Sequence, residues 1–339
     1  MSRAESRADA QAGAPAESGS GTGPASVSGA RAEAPGAGPA AGAGGPGVPP
    51  GPDAGQRPVR RLPRPSGLLR SELLTTLRRW RTLALLGVLA LVPVLVGIAV
   101  RIETGDGGSV GGGGGEGPAF ITQVTNNGLF LVFTALAATL PFFLPMTVGV
   151  VAGDSVAGEA GAGTLRYLLV APSGRTRLLL VKFTAVAAFC LAATAVVAAS
   201  ALAVGALLFP LGEVTLLSGT TVSFGEGLLR AAAIAVLVAA SLLGLAAIGL
   251  FVSTLTDSGV AAMAATVGLL ITVQIVDQIP QLDAVHPYLF PHHWLSFADL
   301  LRDPVYWEPV LRNLGLQGLY VAVFGSAAWA RFTTRDVTA

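Results

Sequence analysis

From residue 82 onward, long apolar runs without charged residues alternate with short polar segments. Each run has about 18 residues or more, close to the roughly 20 that an α-helix needs to cross the hydrocarbon core of a bilayer. Because lipid supplies no hydrogen-bond partners, the backbone groups must pair within each segment, which favours helices. The strand-type alternation of a membrane barrel is absent. The pattern predicts six spans, at about residues 82–100, 128–152, 183–209, 231–255, 258–278 and 314–331.

A shorter amphipathic segment precedes the first span, over residues 67–81. Its apolar residues recur at spacings of four, four and three and form one stripe: Leu69, Leu73, Leu77 and Trp80. Glu72, Arg78 and Arg79 lie off this stripe. Such a helix can rest in the headgroup layer, with Trp80 at the interface and the arginines toward anionic lipid. The simpler alternative is an ordinary basic flank of a first span.

Residues 1–66 have a different composition, rich in Ala, Gly, Pro and Ser. They lack the apolar residues needed to bury a core, so we expect a disordered tail. Met1 is not followed by an apolar segment, so we expect no cleavable signal peptide. The predicted fold class is therefore an all-α integral membrane protein with six transmembrane helices, an N-terminal interfacial helix and a disordered N-terminal tail.

Composition agrees with a membrane protein. Of the 339 residues 52% are hydrophobic and 12% are charged, with a mean hydropathy of +0.65, whereas about 25% of residues are charged in soluble domains. The net charge of +1 favours no polyanionic partner such as nucleic acid. The single cysteine, Cys190, lies within the third span and excludes a disulfide within one chain. We expect it to be a small packing residue.

The basic residues beside the spans predict the orientation. With the N-terminus inside, most of them fall on the inner side, and four fall outside: Arg101, Arg230, Arg302 and Arg312. Because inner loops of membrane proteins are enriched in Lys and Arg, both termini are expected in the cytoplasm. The abundance of Arg, Ala and Gly is typical of a GC-rich genome, and we expect the chain in the cytoplasmic membrane of a bacterium. The Gly-rich loop at Gly111–Gly115 falls outside and should only connect two helices.

The sequence lacks the motifs of ATP hydrolysis and zinc proteolysis, and its predicted spans lack ionisable residues in their interiors. No Gly-x-x-x-x-Gly-Lys-[Ser/Thr] phosphate loop occurs, and the only lysine, Lys182, is followed by Phe183. The chain should therefore not hydrolyse ATP and is predicted not to be an enzyme. No His-Glu-x-x-His protease motif occurs either. The predicted span interiors lack ionisable residues, which argues against a secondary transporter.

The three histidines, His286, His292 and His293, lie together before the sixth span. Adjacent histidines point in different directions on a helix, and the sequence shows no further close ligand. We therefore expect no metal site, and we interpret His292 and His293 as interfacial packing beside Trp294.

The most polar part of the membrane region lies between the second and third spans, at residues 153–182. Gly163-Thr164-Leu165-Arg166 opens a short predicted helix that Thr164 can cap and Pro172 ends. Tyr167, Leu168 and Leu169 then present an apolar face that a partner subunit could cover. The alternative is a basic inner loop that only anchors the ends of two helices.

Three regions together resemble permease subunits of ATP-binding cassette (ABC) transporters of the type-2 exporter family. They are the segment 68–100, the loop 153–182, and the C-terminal part, which runs from the aromatic segment beginning at Pro287-Tyr288 to Arg335-Asp336-Val337. The long tail and the Gly-rich loop depart from that pattern. The resemblance implies an elbow helix at 67–81 and a six-helix permease domain at 82–339. It also implies that the loop meets a separate ATPase subunit through Glu159, Gly163, Thr164, Leu165, Arg166 and Arg175.

The resemblance further implies two kinds of partner: an ATPase subunit that binds ATP and Mg, and a second permease subunit, either another copy or a paralogue. No cofactor is expected in this chain. Small residues four apart in the fourth span, Ala240 with Gly244 and Gly249 with Ser253, suit close helix contact either between subunits or within one. A scaffold or assembly subunit that transports nothing, and a secondary transporter, are the alternative functions. The cargo is not specified by the sequence.

Overall fold

The computed structural model describes residues 65–105, 119–163 and 174–334. These residues are mostly helical, and the helices are α1 (Pro65–Arg78), α2 (Trp80–Gly105), α3 (Ala119–Asn126), α4 (Phe130–Thr139), α5 (Phe143–Gly161), α6 (Arg175–Leu208), α7 (Phe224–Ser241), α8 (Leu243–Leu255), α9 (Gly259–Asp277) and α10 (Trp307–Thr334). The tail predicted for residues 1–66 lies outside the described residues except for its last two, which begin α1. The Gly-rich loop Gly111–Gly115 and the last five residues also lie outside them.

Four helical stretches in the described part of the chain are long and apolar enough to cross a membrane: Trp80–Glu103, Arg175–Leu208, Phe224–Leu255 and Gly259–Asp277. A fifth arises if the pair α4 and α5 counts as one bent span. The architecture is thus compatible with an all-α membrane protein. Helix α10 covers the sixth predicted span, but it is less apolar and is not among these candidates.

The second predicted span is not one straight helix. Helices α4 and α5 are bent by 55° at a short break. The backbone leaves the helical region at Phe142 (φ −130°, ψ −58°), directly after Pro141. Proline has no N–H to donate and its ring crowds the preceding turn, which explains a break at this position.

The run α7–α8 forms the centre of the bundle. Its most apolar window is 78% buried, against 17% to 28% in the other three candidate spans. Small residues allow close approach: Gly249 lies against Ala152 of α5, and Gly153 of α5 lies against Met263 of α9. Ser253 accepts hydrogen bonds from two backbone N–H groups of α5. The small residues of α8 therefore pack within the chain.

The end of the bundle where α9 stops, here called the His292 end, carries short irregular elements. Strands β1 (Val214–Thr215) and β2 (Thr221–Val222) pair antiparallel, with Val214 opposite Val222 and Thr215 opposite Thr221. The segment between α9 and α10 holds three 3₁₀ helices, Pro280–Leu282, His286–Tyr288 and Trp294–Leu301. Arg230 of α7 donates to the carbonyl oxygens of Leu300 and Arg302, at 3.0 and 3.2 Å, and so holds this segment against the bundle.

Candidate functional site

The opposite end of the bundle, here called the Lys182 end, is where α5 stops and α6 begins. Helix α5 closes with the Ala162 N–H donating to the Gly158 oxygen (3.1 Å) and the Gly163 N–H donating to the Ala160 oxygen (3.0 Å). Gly163 is exposed and has φ +70°, the left-handed conformation in which helices commonly end and which glycine adopts without strain. The helical backbone of α5 therefore does not continue past Gly163.

Lys182 lies two turns inside α6, and its side chain is 1% exposed. Its Nζ lies 2.7 Å from Glu159 Oε1 of α5 and 3.1 Å from Glu72 Oε1 of α1. A buried ammonium needs such partners because the loss of water disfavours its charge. One side chain thus joins three helices, and these three residues are called the Lys182 cluster below.

A second ion pair links the junction of α1 and α2 to α5. Arg79 Nη1 lies 3.2 Å from Asp154 Oδ2 at the break between α1 and α2. The Arg79 side chain is 44% exposed, so water screens this pair more than the Lys182 cluster. Arg79 and Asp154, together with Glu72 and Lys182, line a narrow cleft between α1, α2, α5 and α6.

Arg175 attaches the start of α6 to the end of α10. Its Nη1 donates to the Thr333 carbonyl oxygen at 2.8 Å. The negative C-terminal end of the α10 dipole also stabilises a positive charge at this position. One residue further, Thr176 Oγ1 accepts a hydrogen bond from Trp329 Nε1 at 2.9 Å. A small apolar cluster lies beside these contacts: Val156, Leu179, Leu250, Ala328 and Phe332.

At the His292 end, polar side chains are buried between the run α7–α8 and α10. Asn313 Nδ2 donates to Ser241 Oγ at 2.6 Å, and Gln317 Nε2 donates to the Phe290 oxygen at 2.8 Å. Trp294 Nε1 donates to the Ser241 carbonyl oxygen at 2.8 Å. The Trp294 bond satisfies the Ser241 backbone carbonyl at the junction between α7 and α8, and the Gln317 bond satisfies the Phe290 carbonyl before α10.

Two of the three histidines lie close to an acidic side chain. Asp277, at the end of α9, lies with its Oδ1 2.8 Å from His292 Nδ1, and His286 joins them so that one ligand atom from each lies within 4.8 Å of the others. His293 is not part of this group. Burial, and then the charges of His292 and Arg312, lower the pKa of His293 below its usual value. The fold thus places the Asp277 carboxylate beside His286 and His292, a close ligand that the sequence did not show.

Residues 117–338 match the model of a family described as a protein of unknown function, DUF2705. This chain belongs to the DUF2705 family. No curated protein matches it. The matched region of this DUF2705 protein runs through α3–α10 and contains Glu159, Lys182 and the three histidines. Helix α1, which supplies Glu72, precedes it, so the Lys182 cluster joins the DUF2705 region to the segment before it.

Of the six predicted coupling residues, three are described in this DUF2705 protein. Glu159 is 13% exposed and directed at Lys182, Gly163 is exposed, and Arg175 contacts α10. Thr164, Leu165 and Arg166, with the short helix that they were predicted to open, lie outside the described residues. All three described residues lie at the same end of the bundle.

Sequence reasoning missed the Lys182 cluster. It placed Glu72 and Arg79 off the apolar stripe and directed the arginines toward anionic lipid, whereas Glu72 and Arg79 both contact other helices. Trp80, which the sequence placed at the headgroup interface, is 82% exposed, while Leu77 of the same stripe packs against the core. A usable signal was present, since Lys182 lies directly before a long apolar run, where a buried charge requires an oppositely charged partner.

Proposed function

We propose that this chain is the membrane-spanning permease subunit of an ABC exporter, driven by ATP that a separate ATPase subunit binds with Mg and hydrolyses. The observation that carries the proposal is the Lys182 cluster. It connects the two helices that flank segment 164–173 with each other and with α1. A partner that pushes on this segment would therefore move three helices together.

The proposed topology has six spans, with α10 as the last and α1 as an interfacial elbow helix. Helix α10 has 28 residues, a length of about 42 Å at 1.5 Å per residue, which is enough to cross a bilayer. Half-buried leucines on one face of α1, with exposed Trp80 following, suit a helix at the headgroup level. The excess of basic residues at the Lys182 end supports placing that end, and both termini, in the cytoplasm.

The proposed mechanism assigns this chain a mechanical role. Two ATPase subunits close on ATP and push on the segments between α5 and α6 of two permease subunits, which are two copies or a copy and a paralogue. Glu159 acts as a positioning residue that passes this movement to α6 and α1 through Lys182. Arg175 passes it to α10 through the Thr333 carbonyl. The two helical bundles then move relative to each other, and cargo is exported across the cytoplasmic membrane of the bacterium.

The proposal is tested by purifying the tagged full-length chain from its native membrane in mild detergent and identifying what accompanies it. We expect an ATPase subunit with a phosphate loop, together with measurable ATP hydrolysis. Arg166→Ala, in the proposed contact segment, should abolish co-purification of that subunit. Arg302→Ala, which removes an arginine at the opposite end of the bundle, is the matched control and should retain it.

One outcome of this experiment would contradict the permease proposal, and another would contradict the contact segment. A chain that purifies alone from membranes in which the ATPase subunit is expressed contradicts the proposal. Equal retention of the ATPase by Arg166→Ala and Arg302→Ala contradicts the assignment of the contact segment. A further variant, Glu159→Gln, should keep the ATPase bound and lower the hydrolysis rate, because it weakens the link to Lys182 without changing the contact segment.

A further inference from the structure

Three side chains at the His292 end converge although they are separated along the chain. Asp277 closes α9, His286 opens a 3₁₀ helix, and His292 lies in the following turn. One ligand atom from each lies within 4.8 Å of one from each of the others. Tetrahedral ligands at the usual zinc distances of about 2.0–2.1 Å are roughly 3.3 Å apart. Separations of up to 4.8 Å therefore need to shorten by up to about 1.5 Å for all three atoms to contact one ion.

The hydrogen bond of His286 to the backbone favours ligation by its other ring nitrogen. His286 Nε2 lies 3.1 Å from the Ile279 carbonyl oxygen, which can only accept, so this nitrogen carries the proton and Nδ1 keeps its lone pair. Metal-bound histidines commonly have such a carbonyl partner on the second ring nitrogen. His286 is itself buried, so its orientation is set by packing.

The charge and the space around the group also suit a divalent cation. Asp277 and His292 line a pocket of about 160 Å³, and a water molecule occupies about 30 Å³ of liquid volume, so water can complete the coordination. A second carboxylate, that of Asp283, has its Oδ1 3.7 Å from His286 Nδ1. Because Asp283 is 95% exposed, water screens its charge, and Asp277 supplies the carboxylate within the group.

We infer that Asp277, His286 and His292 form a binding site for one divalent transition-metal ion, with Zn²⁺ as the ion to test. Two imidazoles and a carboxylate suit Zn²⁺ and its neighbours in the first transition row, whereas Mg²⁺ prefers oxygen ligands alone. The bound ion ties the segment between α9 and α10 to the end of α9. The inference does not depend on the proposed transport function.

The site is tested by titrating the full-length protein in detergent, purified with a tag that contains no histidine, with Zn²⁺ in a calorimeter. We expect one saturable site per chain and no binding of Mg²⁺. His292→Ala and Asp277→Asn should each weaken Zn²⁺ binding by at least about tenfold. His293→Ala removes the adjacent imidazole, which lies outside the group, and should leave the affinity unchanged.

Absence of a saturable site in the wild-type protein, or equal weakening by His293→Ala and His292→Ala, would overturn the assignment. X-ray absorption of the wild-type protein loaded with one equivalent of Zn²⁺ provides a test that needs no variant. Its first shell should contain two imidazole nitrogens and oxygen. A shell with sulfur, or with no imidazole, contradicts the site.

Discussion

Replacing Lys182 with methionine tests how the Lys182 end is held together. Methionine has a similar length but no charge, so Lys182→Met leaves Glu159 and Glu72 close together without their shared cation. The Lys182 side chain is 1% exposed and Glu159 is 13% exposed, so water replaces the lost partner poorly. The expected result is a large loss of stability with little change in packing volume.

The two N–O distances of the Lys182 cluster set the size of the expected loss in the free energy of unfolding. With an effective dielectric constant of about 20, unit charges at 2.7 Å attract by about 6 kcal/mol, and charges at 3.1 Å attract by about 5 kcal/mol. Burying the ammonium costs several kcal/mol in return. Removing one partner of a buried ion pair typically costs about 3–5 kcal/mol, and we expect Lys182→Met to fall in this range.

The free energy of unfolding is measured by titrating the protein in mixed micelles with a denaturing detergent. Arg79→Gln is the matched control, because Arg79 forms a more exposed ion pair with Asp154, and we expect it to cost about 0–1 kcal/mol. Adding Glu159→Gln and Glu72→Gln to Lys182→Met should restore most of the loss, since the cluster is then neutral.

A loss for Lys182→Met no larger than that for Arg79→Gln would refute the reasoning. It would mean that water or other groups stabilise the two carboxylates without Lys182. Failure of the triple variant to recover stability would show that Lys182 contributes through packing and not through its charge.

Two further predictions concern helix packing, both measured in the same unfolding assay. Ser253→Ala removes the acceptor of two α5 N–H groups and should cost about 1–3 kcal/mol, whereas Ser326→Ala, on an exposed hydroxyl, should cost almost nothing. Gly153→Ala would place a methyl 2.9 Å from the Met263 backbone and should cost about 1–3 kcal/mol. Gly268→Ala meets nothing within 4 Å and should be neutral or stabilising by about 0.5–1 kcal/mol. Equal effects within either pair would contradict the packing described.

The helices were predictable from sequence because their cause is local. A run such as 258–278 is long and uncharged, and the structure forms α9 there over Gly259–Asp277. Boundaries and breaks were harder to predict. Helix α6 begins eight residues before the predicted span, which places Lys182 inside a helix, and the bend after Pro141 divides the second span.

What the sequence by itself determined is the number of long apolar segments, the location of the polar loop at 153–182 and the absence of a phosphate-loop motif. Each of these depends on residues that are neighbours in the chain. The tertiary structure alone decided that Lys182 meets Glu72 across 110 positions and Glu159 across 23, and that Asp277 meets His286 and His292. Such contacts depend on which helix faces pack together, and the periodicity of a single segment contains no information about its neighbour.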